Sequence, residues 1–140
     1  MILLDTNVLS EPIQPNPEPV VVRWLRDQWM GDLGTTTINI AEVKYGFARL
    51  AAGKRRSELE RNFGTLILRG LGNRIFDFDQ PAAEVYGDIL VARERMGRRL
   101  EGFDGLIAAI ALSRGYAVAT RNITDFEGCG VELVNPWERS

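Results

Sequence analysis

The chain has 140 residues, 45% of them hydrophobic and 26% charged, with a formal net charge of -2. That length can bury a real core in one domain, and that charge excludes indiscriminate attraction to nucleic acid or anionic membrane. There is no histidine and a single cysteine, Cys129, which removes catalytic triads, imidazole acid–base chemistry, histidine metal sites, internal disulfides and multi-cysteine zinc sites.

In chain order, Ile2 to Leu4 are apolar and run into Asp5, predicting a buried strand over 2–5 that ends in a carboxylate. "EPIQPNPEP" (11–19) holds four prolines and reads as a loop. "VVVRWLRDQW" (20–29) reads as a helix with Val21, Trp24, Leu25 and Trp29 at helical spacing. "LGTTTI" (33–38) is a β-branched strand, followed by a helix over 39–53 with Asn39 as its cap and Gly53 as its stop. A polar helix spans about 57–68. "RIFDF" (74–78) predicts a third strand, 79–97 a helix with an Asp/Pro start, and 103–115 a nearly all-apolar, buried helix. "YAVAT" (116–120) and "VELVN" (131–135) complete the strands. Strands alternating with helices predict one α/β domain over 1–140, with a central parallel sheet of about five strands and helices on both faces. No apolar run approaches the roughly 20 residues of a membrane span. With no basic segment followed by an apolar run near residue 1, no secretory leader is expected, and with one cysteine a reduced, cytoplasmic setting is expected.

In such a sheet, sites form beyond the carboxyl ends of the strands. Four acids fall there: Asp5 at the end of the first strand, Glu42 near the start of the helix after the second, Asp104 at the opening of the apolar helix, and Asp125 in the loop after "YAVAT". Three have a plainer alternative, while Asp5, a strand-end acid beside the core, must have a partner. Asp104 reads equally as a helix cap, Glu42 as a first-turn carboxylate helped by the helix dipole, and Asp125 as an Asx-turn residue. Asp77 and Asp79 are explained by alternation and capping. Two carboxylates roughly 5 Å apart at an effective dielectric of about 20 repel by on the order of 3 kcal/mol. A group of four therefore calls for protonation or a cation, and an all-oxygen set suits Mg²⁺ or Mn²⁺.

"ILLDTNVLS", "INIAEVKYGFARL", "FDGLIAAIA" and "ATRNITDFEG", in that order, resemble the PIN-domain ribonucleases, and most of all the VapC/FitB-type toxins of bacterial toxin–antitoxin pairs. The resemblance runs from residue 2 to "LVNPW" near residue 137. It implies a catalytic, metal-binding pocket of Asp5, Glu42, Asp104 and Asp125, with Asp5 and Asp104 the firmest ligands. It implies polar support from Thr6, Asn7, Thr120 and Asn122; many relatives carry an acid where this chain has Asn122. It further implies metal-dependent RNA hydrolysis, homodimers, and a small DNA-binding antitoxin as partner. Other folds with strand-end acids fit less well. A receiver domain needs a lysine after its last strand, a haloacid dehalogenase-type phosphatase needs an acid where Asn7 stands, and no Gly-Lys-Ser/Thr loop supports a P-loop NTPase. A catalytically inactive PIN fold that binds nucleic acid or protein is the alternative.

An acidic pocket must borrow positive charge from elsewhere to hold RNA. Arginine supplies 15 of the 17 cations, clustered at Lys54-Arg55-Arg56 and at Arg93, Arg95, Arg98 and Arg99. Both clusters also read as solvated helix ends. A partner's arginine could fork onto two of the pocket carboxylates, with Trp24 and Trp29 as apolar anchors for the rest of it, although core packing is the better reading of at least one of the two.

Overall fold

β1 (Ile2–Leu4) lies at the centre of a five-stranded sheet of order β3-β2-β1-β4-β5, every pair parallel, in a computed structural model that describes residues 1–28, 30–100 and 102–138. β2 (Leu33–Thr36) and β4 (Ala117–Ala119) flank it, with Leu3 opposite both Gly34 and Val118. β3 (Ile75–Phe76) and β5 (Leu133–Val134) form the edges. A central parallel strand has both faces covered, so successive residues enter opposite cores. Leu3 packs among Ile89, Ile107, Ile110 and Val118, while Leu4 packs among Val8, Leu9, Val43 and Phe63.

The first of these cores is roofed by α5 (Gln80–Arg95) and α6 (Asp104–Arg114), which pack against each other. Five consecutive residues of α6, Ile107 to Ala111, are fully buried, which is why the helix is apolar all round. The second core lies under α1 (Thr6–Ser10), α2 (Pro19–Asp27), α3 (Thr37–Ala48) and α4 (Lys54–Thr65). Among the described residues no helix is long and apolar enough to cross a membrane.

Local structure departs from the sequence pattern in three places. α1 follows Asp5 directly where no element was expected, and the expected loop over 11–19 opens with a 3₁₀ turn, Glu11–Ile13, with Pro12 near its start, where a missing N–H is harmless. α3 begins at Thr37, because the Thr36 hydroxyl caps it by accepting from the Asn39 N–H at 3.1 Å. Asn39 is therefore inside the helix, and Gly53 precedes α4 rather than ending α3. α4 runs on into a π-helical turn over Leu66–Leu71. Trp24 is 7% exposed and belongs to the core, the plainer of the two readings its position allowed, so it is no anchor for a partner; Trp29 lies outside the described residues.

The sheet leaves no room for a side chain at Gly34. A Cβ there would sit 2.8 Å from the Arg74 carbonyl oxygen and 3.1 Å from the Phe76 ring. Backbone cannot yield as a flexible side chain can, so Gly34→Ala is expected to destabilise by roughly 1–3 kcal/mol. Urea unfolding that gives a midpoint equal to the parent's would contradict this close approach.

Candidate active site

Asp5 ends β1 with its backbone fixed on both sides. Its N–H donates to Ala119 O at 2.9 Å and its carbonyl accepts from Leu9 N at 2.8 Å. Asp5 is 7% exposed, and its carboxylate accepts two hydrogen bonds from side chains, from Thr120 Oγ1 at 2.7 Å and from Asn39 Nδ2 at 3.0 Å. The second hydrogen of that Asn39 amide goes to Thr6 Oγ1 at 3.1 Å, and Thr6 donates to Glu42 Oε1 at 3.1 Å. One carboxamide thus links two carboxylates. Its own oxygen accepts from Thr36 Oγ1 at 2.6 Å.

Asn39 was expected only to cap a helix, and Thr36 was not expected to take part. The available signal was spacing: Asn39 precedes Glu42 by three residues and so shares its helix face. The other polar supports fall as follows. Asn7 accepts from the Arg121 N–H at 3.3 Å, tying α1 to the exit of β4. Asn122 contributes its backbone, whose N–H donates to Thr120 Oγ1 at 3.0 Å, while Asn122 itself is exposed.

Asp104 and Asp125 stand apart from this network. Among the described residues, neither carboxylate receives a hydrogen bond. The plainer alternatives for three acids fall here. The cap of α6 is Phe103, with no side-chain capping bond, so Asp104 occupies the first helical position without capping. Glu42 lies beyond the first turn of α3, and the Asp125 side chain closes no Asx turn. Asp104 and Asp125 line a cavity of 560 Å³ together with Arg93, Arg98, Arg99 and Thr124. Of the two acids in this loop, Glu127 pairs with Arg98 at 2.8 Å, which leaves Asp125 as the one that faces Asp104.

Asp5, Glu42 and Asp104 are each shifted by burial and by charges of their neighbours. The Asp104 carboxyl is pushed up to about 7, first by burial and then by the charges of Asp5, Asp125 and Glu42, with Arg93 opposing. Burial also raises Asp5, against the hydrogen bonds of Thr120, the Thr6 backbone and Asn39. Glu42 is raised too, by burial first and by Asp5, against the Thr6 hydrogen bond. Among the described residues, however, no three carboxylates approach closely enough to enclose a metal ion. The two observations are compatible. Mutual repulsion acts over longer distances than coordination, and Mg²⁺ commonly keeps several waters while using one or two carboxylates. An all-oxygen edge holding an unbonded Asp104 beside an open cavity fits a hydrated hard cation, not a dehydrated cage.

Arg93 requires a correction. Expected on an RNA-facing surface, it is 4% exposed, and its Nη1 donates to Thr124 O at 3.1 Å and Glu127 O at 2.6 Å. It fastens the loop that carries Asp125. Arg95 is exposed at the end of α5 but does not line the cavity; Arg98 and Arg99 do. In the other cluster, Lys54 and Arg56 pair with Glu58 and Glu60 at 3.9 and 3.0 Å. Arg55 lines a second cavity, of 290 Å³, that includes Thr6 and Glu42. Cys129 is buried, and burial raises its thiol, so it is no nucleophile.

The PIN domain model matches residues 2–127. The chain belongs to the PIN-domain family. The plasmid stability protein StbB of Pseudomonas syringae pv. tomato is 40% identical over 138 residues, covering 99% of both chains. The VapC ribonuclease Y4jK of Sinorhizobium fredii is 37% identical over the same share. The structure of FitAB bound to the IR36 DNA fragment superimposes with a TM-score of 0.92 at 38% identity, covering 100% of this chain and 98% of that one. The family and fold expected from the four ordered motifs are those found. This PIN domain presents its acids at the carboxyl edge of β1 and β4, and within that edge the hydrogen-bond network and the cavity divide them into a locked pair, Asp5 and Glu42, and an open pair, Asp104 and Asp125.

Proposed function

We propose that the protein is a divalent-metal-dependent endoribonuclease, the toxin of a type II toxin–antitoxin pair, hydrolysing RNA phosphodiester bonds at Asp5, Glu42, Asp104 and Asp125. One observation carries the reading: four carboxylates share the strand edge, and the most perturbed of them, Asp104, has no hydrogen-bond donor and lies open to a cavity. The chain's likeness to a protein named a VapC ribonuclease supports it. Mg²⁺ or Mn²⁺ would be the cofactor, supplying an activated water and neutralising charge on the phosphoryl oxygens. The chain's own residues do the rest. Thr120 and Asn39 hold Asp5 in one orientation. Thr6 does the same for Glu42. Asp104, free of other bonds, is the group able to bind a cation or take a proton near neutral pH.

The active protein is a cytoplasmic homodimer in this reading. Its inhibitor is a small DNA-binding antitoxin that places an arginine fork on the unbonded carboxylates. The complex named FitAB, bound to DNA, is consistent with such a partner. A catalytically inactive PIN fold that binds nucleic acid or protein is the second reading, favoured by the lack of three converging acids among the described residues. Incubating the purified chain with single-stranded RNA in Mg²⁺, Mn²⁺ and EDTA separates the two. Cleavage in either metal that EDTA abolishes is expected. Intact RNA under all conditions would leave the binding module.

A further inference from the structure

We propose that Arg121, seated on Trp137, binds a backbone phosphate of the RNA strand lying across the acids; this rests on the ribonuclease reading above. Arg121 directly follows Thr120, the donor to Asp5. Its backbone is held at both ends. The N–H donates to Asn7 Oδ1 at 3.3 Å, and the carbonyl accepts from Asn135 Nδ2 at 3.5 Å. Its guanidinium carbon lies 5.0 Å from the centre of the Trp137 ring. Trp137 is fixed in turn. Its backbone N–H donates to Asn135 Oδ1 at 2.9 Å, and its side chain packs against the core beneath α1 to α4.

Arg121 is exposed, and among the described residues no carboxylate lies within ion-pair distance of it. The contrast with Arg56, Arg98 and Arg114 is plain, since each of these has an acidic partner. Stacking on an indole covers one face of a guanidinium and leaves its N–H edges free, and those edges match a phosphate. The indole also orders the long side chain in advance, which lowers the entropy lost on binding. An acidic edge repels a polyanion, so the cations that hold the strand must flank it. Arg98 and Arg99 stand on the Asp104 side. Arg121 adds a cation next to the donor to Asp5, and its seat, Trp137, belongs to the core on the other side of the sheet from α6. A phosphate there neighbours the scissile one without competing for the acids.

The test measures binding of the full chain to a labelled single-stranded RNA in EDTA across a range of salt, for the parent, Arg121→Gln and Arg121→Lys, with melting temperatures as controls. Arg121→Gln is expected to weaken binding roughly tenfold at low salt and to lower the salt slope by about 0.7, the contribution of one single-strand phosphate. Arg121→Lys keeps the slope because it keeps the charge. With Mg²⁺ present, Arg121→Gln raises KM more than it lowers kcat. A parental slope in Arg121→Gln overturns the contact and leaves the ribonuclease reading standing. So does a slope that Arg121→Lys fails to restore, which would make the residue structural. Loss of binding to a glutamate-rich peptide with RNA binding intact would assign Arg121 to an acidic protein segment instead. Parent protein that binds no RNA at any salt would remove the ribonuclease reading itself.

Discussion

Asp104→Asn is expected to abolish metal-dependent cleavage of RNA while making the metal-free protein more stable above neutral pH. In the proposed function Asp104 would be a charged oxygen ligand of the metal, and the activity loss would follow from removing it. Several kcal/mol of transition-state stabilisation depend on such a site, and about 4 kcal/mol corresponds to roughly a thousandfold. The stability gain follows from the proton. The Asp104 carboxyl rises from 3.8 to about 7, by burial first and then by Asp5, Asp125 and Glu42. A folded-state value above the unfolded one means that the native state holds the proton more tightly. That contribution is fully present below about pH 4 and is lost as pH rises through 7. Asp5 and Glu42 are shifted in the same direction, so they add to the trend. Asparagine has no such titration and removes one of the repelling charges. Melting temperatures in EDTA should therefore show the variant's advantage at pH 8 and little or none at pH 4. An equal difference at both values would mean that Asp104 is not the strained acid. Cleavage by the parent should rise through the same window, because a protonated carboxyl is a poor ligand.

Much of this site was legible in the sequence because strand ends are legible. A short apolar run stopping at Asp5, an apolar helix opening at Asp104 and a β-branched run before Glu42 place three acids at one edge with no knowledge of contacts. Asp125 falls at that edge by sequence too, but only the Glu127–Arg98 pair shows why it, and not Glu127, is the acid of that loop left to face the cavity. Arg93 was misread because a buried arginine in a basic run looks like its solvated neighbours. Its partners are backbone carbonyls 31 and 34 residues away, and carbonyls carry no sequence signature. α1 escaped notice because five residues are too few to display a helical period. Arg121 and Trp137 lie on separate loops that only the β4–β5 pairing brings together.

Asn39 is the residue whose loss should damage both fold and chemistry, and two substitutions there separate its roles. Its amide donates to Asp5 Oδ1 and Thr6 Oγ1, and its oxygen accepts from Thr36 Oγ1, with Asn39 and Thr36 fully buried and Thr6 partly so. Asn39→Ala strands these groups. At about 1–3 kcal/mol for each buried group left unsatisfied, a total near 3 kcal/mol is expected, a serious fraction of a stability of about 5–15 kcal/mol. Asp5 would also lose one of two side-chain donors that favour its charged form, so its pKa should climb further and its orientation loosen. Cleavage should fall with it. Asn39→Asp keeps the shape and the acceptor for Thr36 but gives up the amide donors and adds a carboxyl beside Asp5. When protonated, that carboxyl can donate one bond; when ionised, it repels Asp5. Its folded-state pKa should therefore lie above the unfolded value, so its stability is retained at low pH and lost as pH rises. Urea unfolding should place Asn39→Asp near the parent at pH 5 and well below it at pH 8, with Asn39→Ala low at both. If Asn39→Asp shows the same deficit at pH 5 and pH 8, the amide is not bonded to Asp5, and the link between the Asp5 and Glu42 carboxylates does not exist.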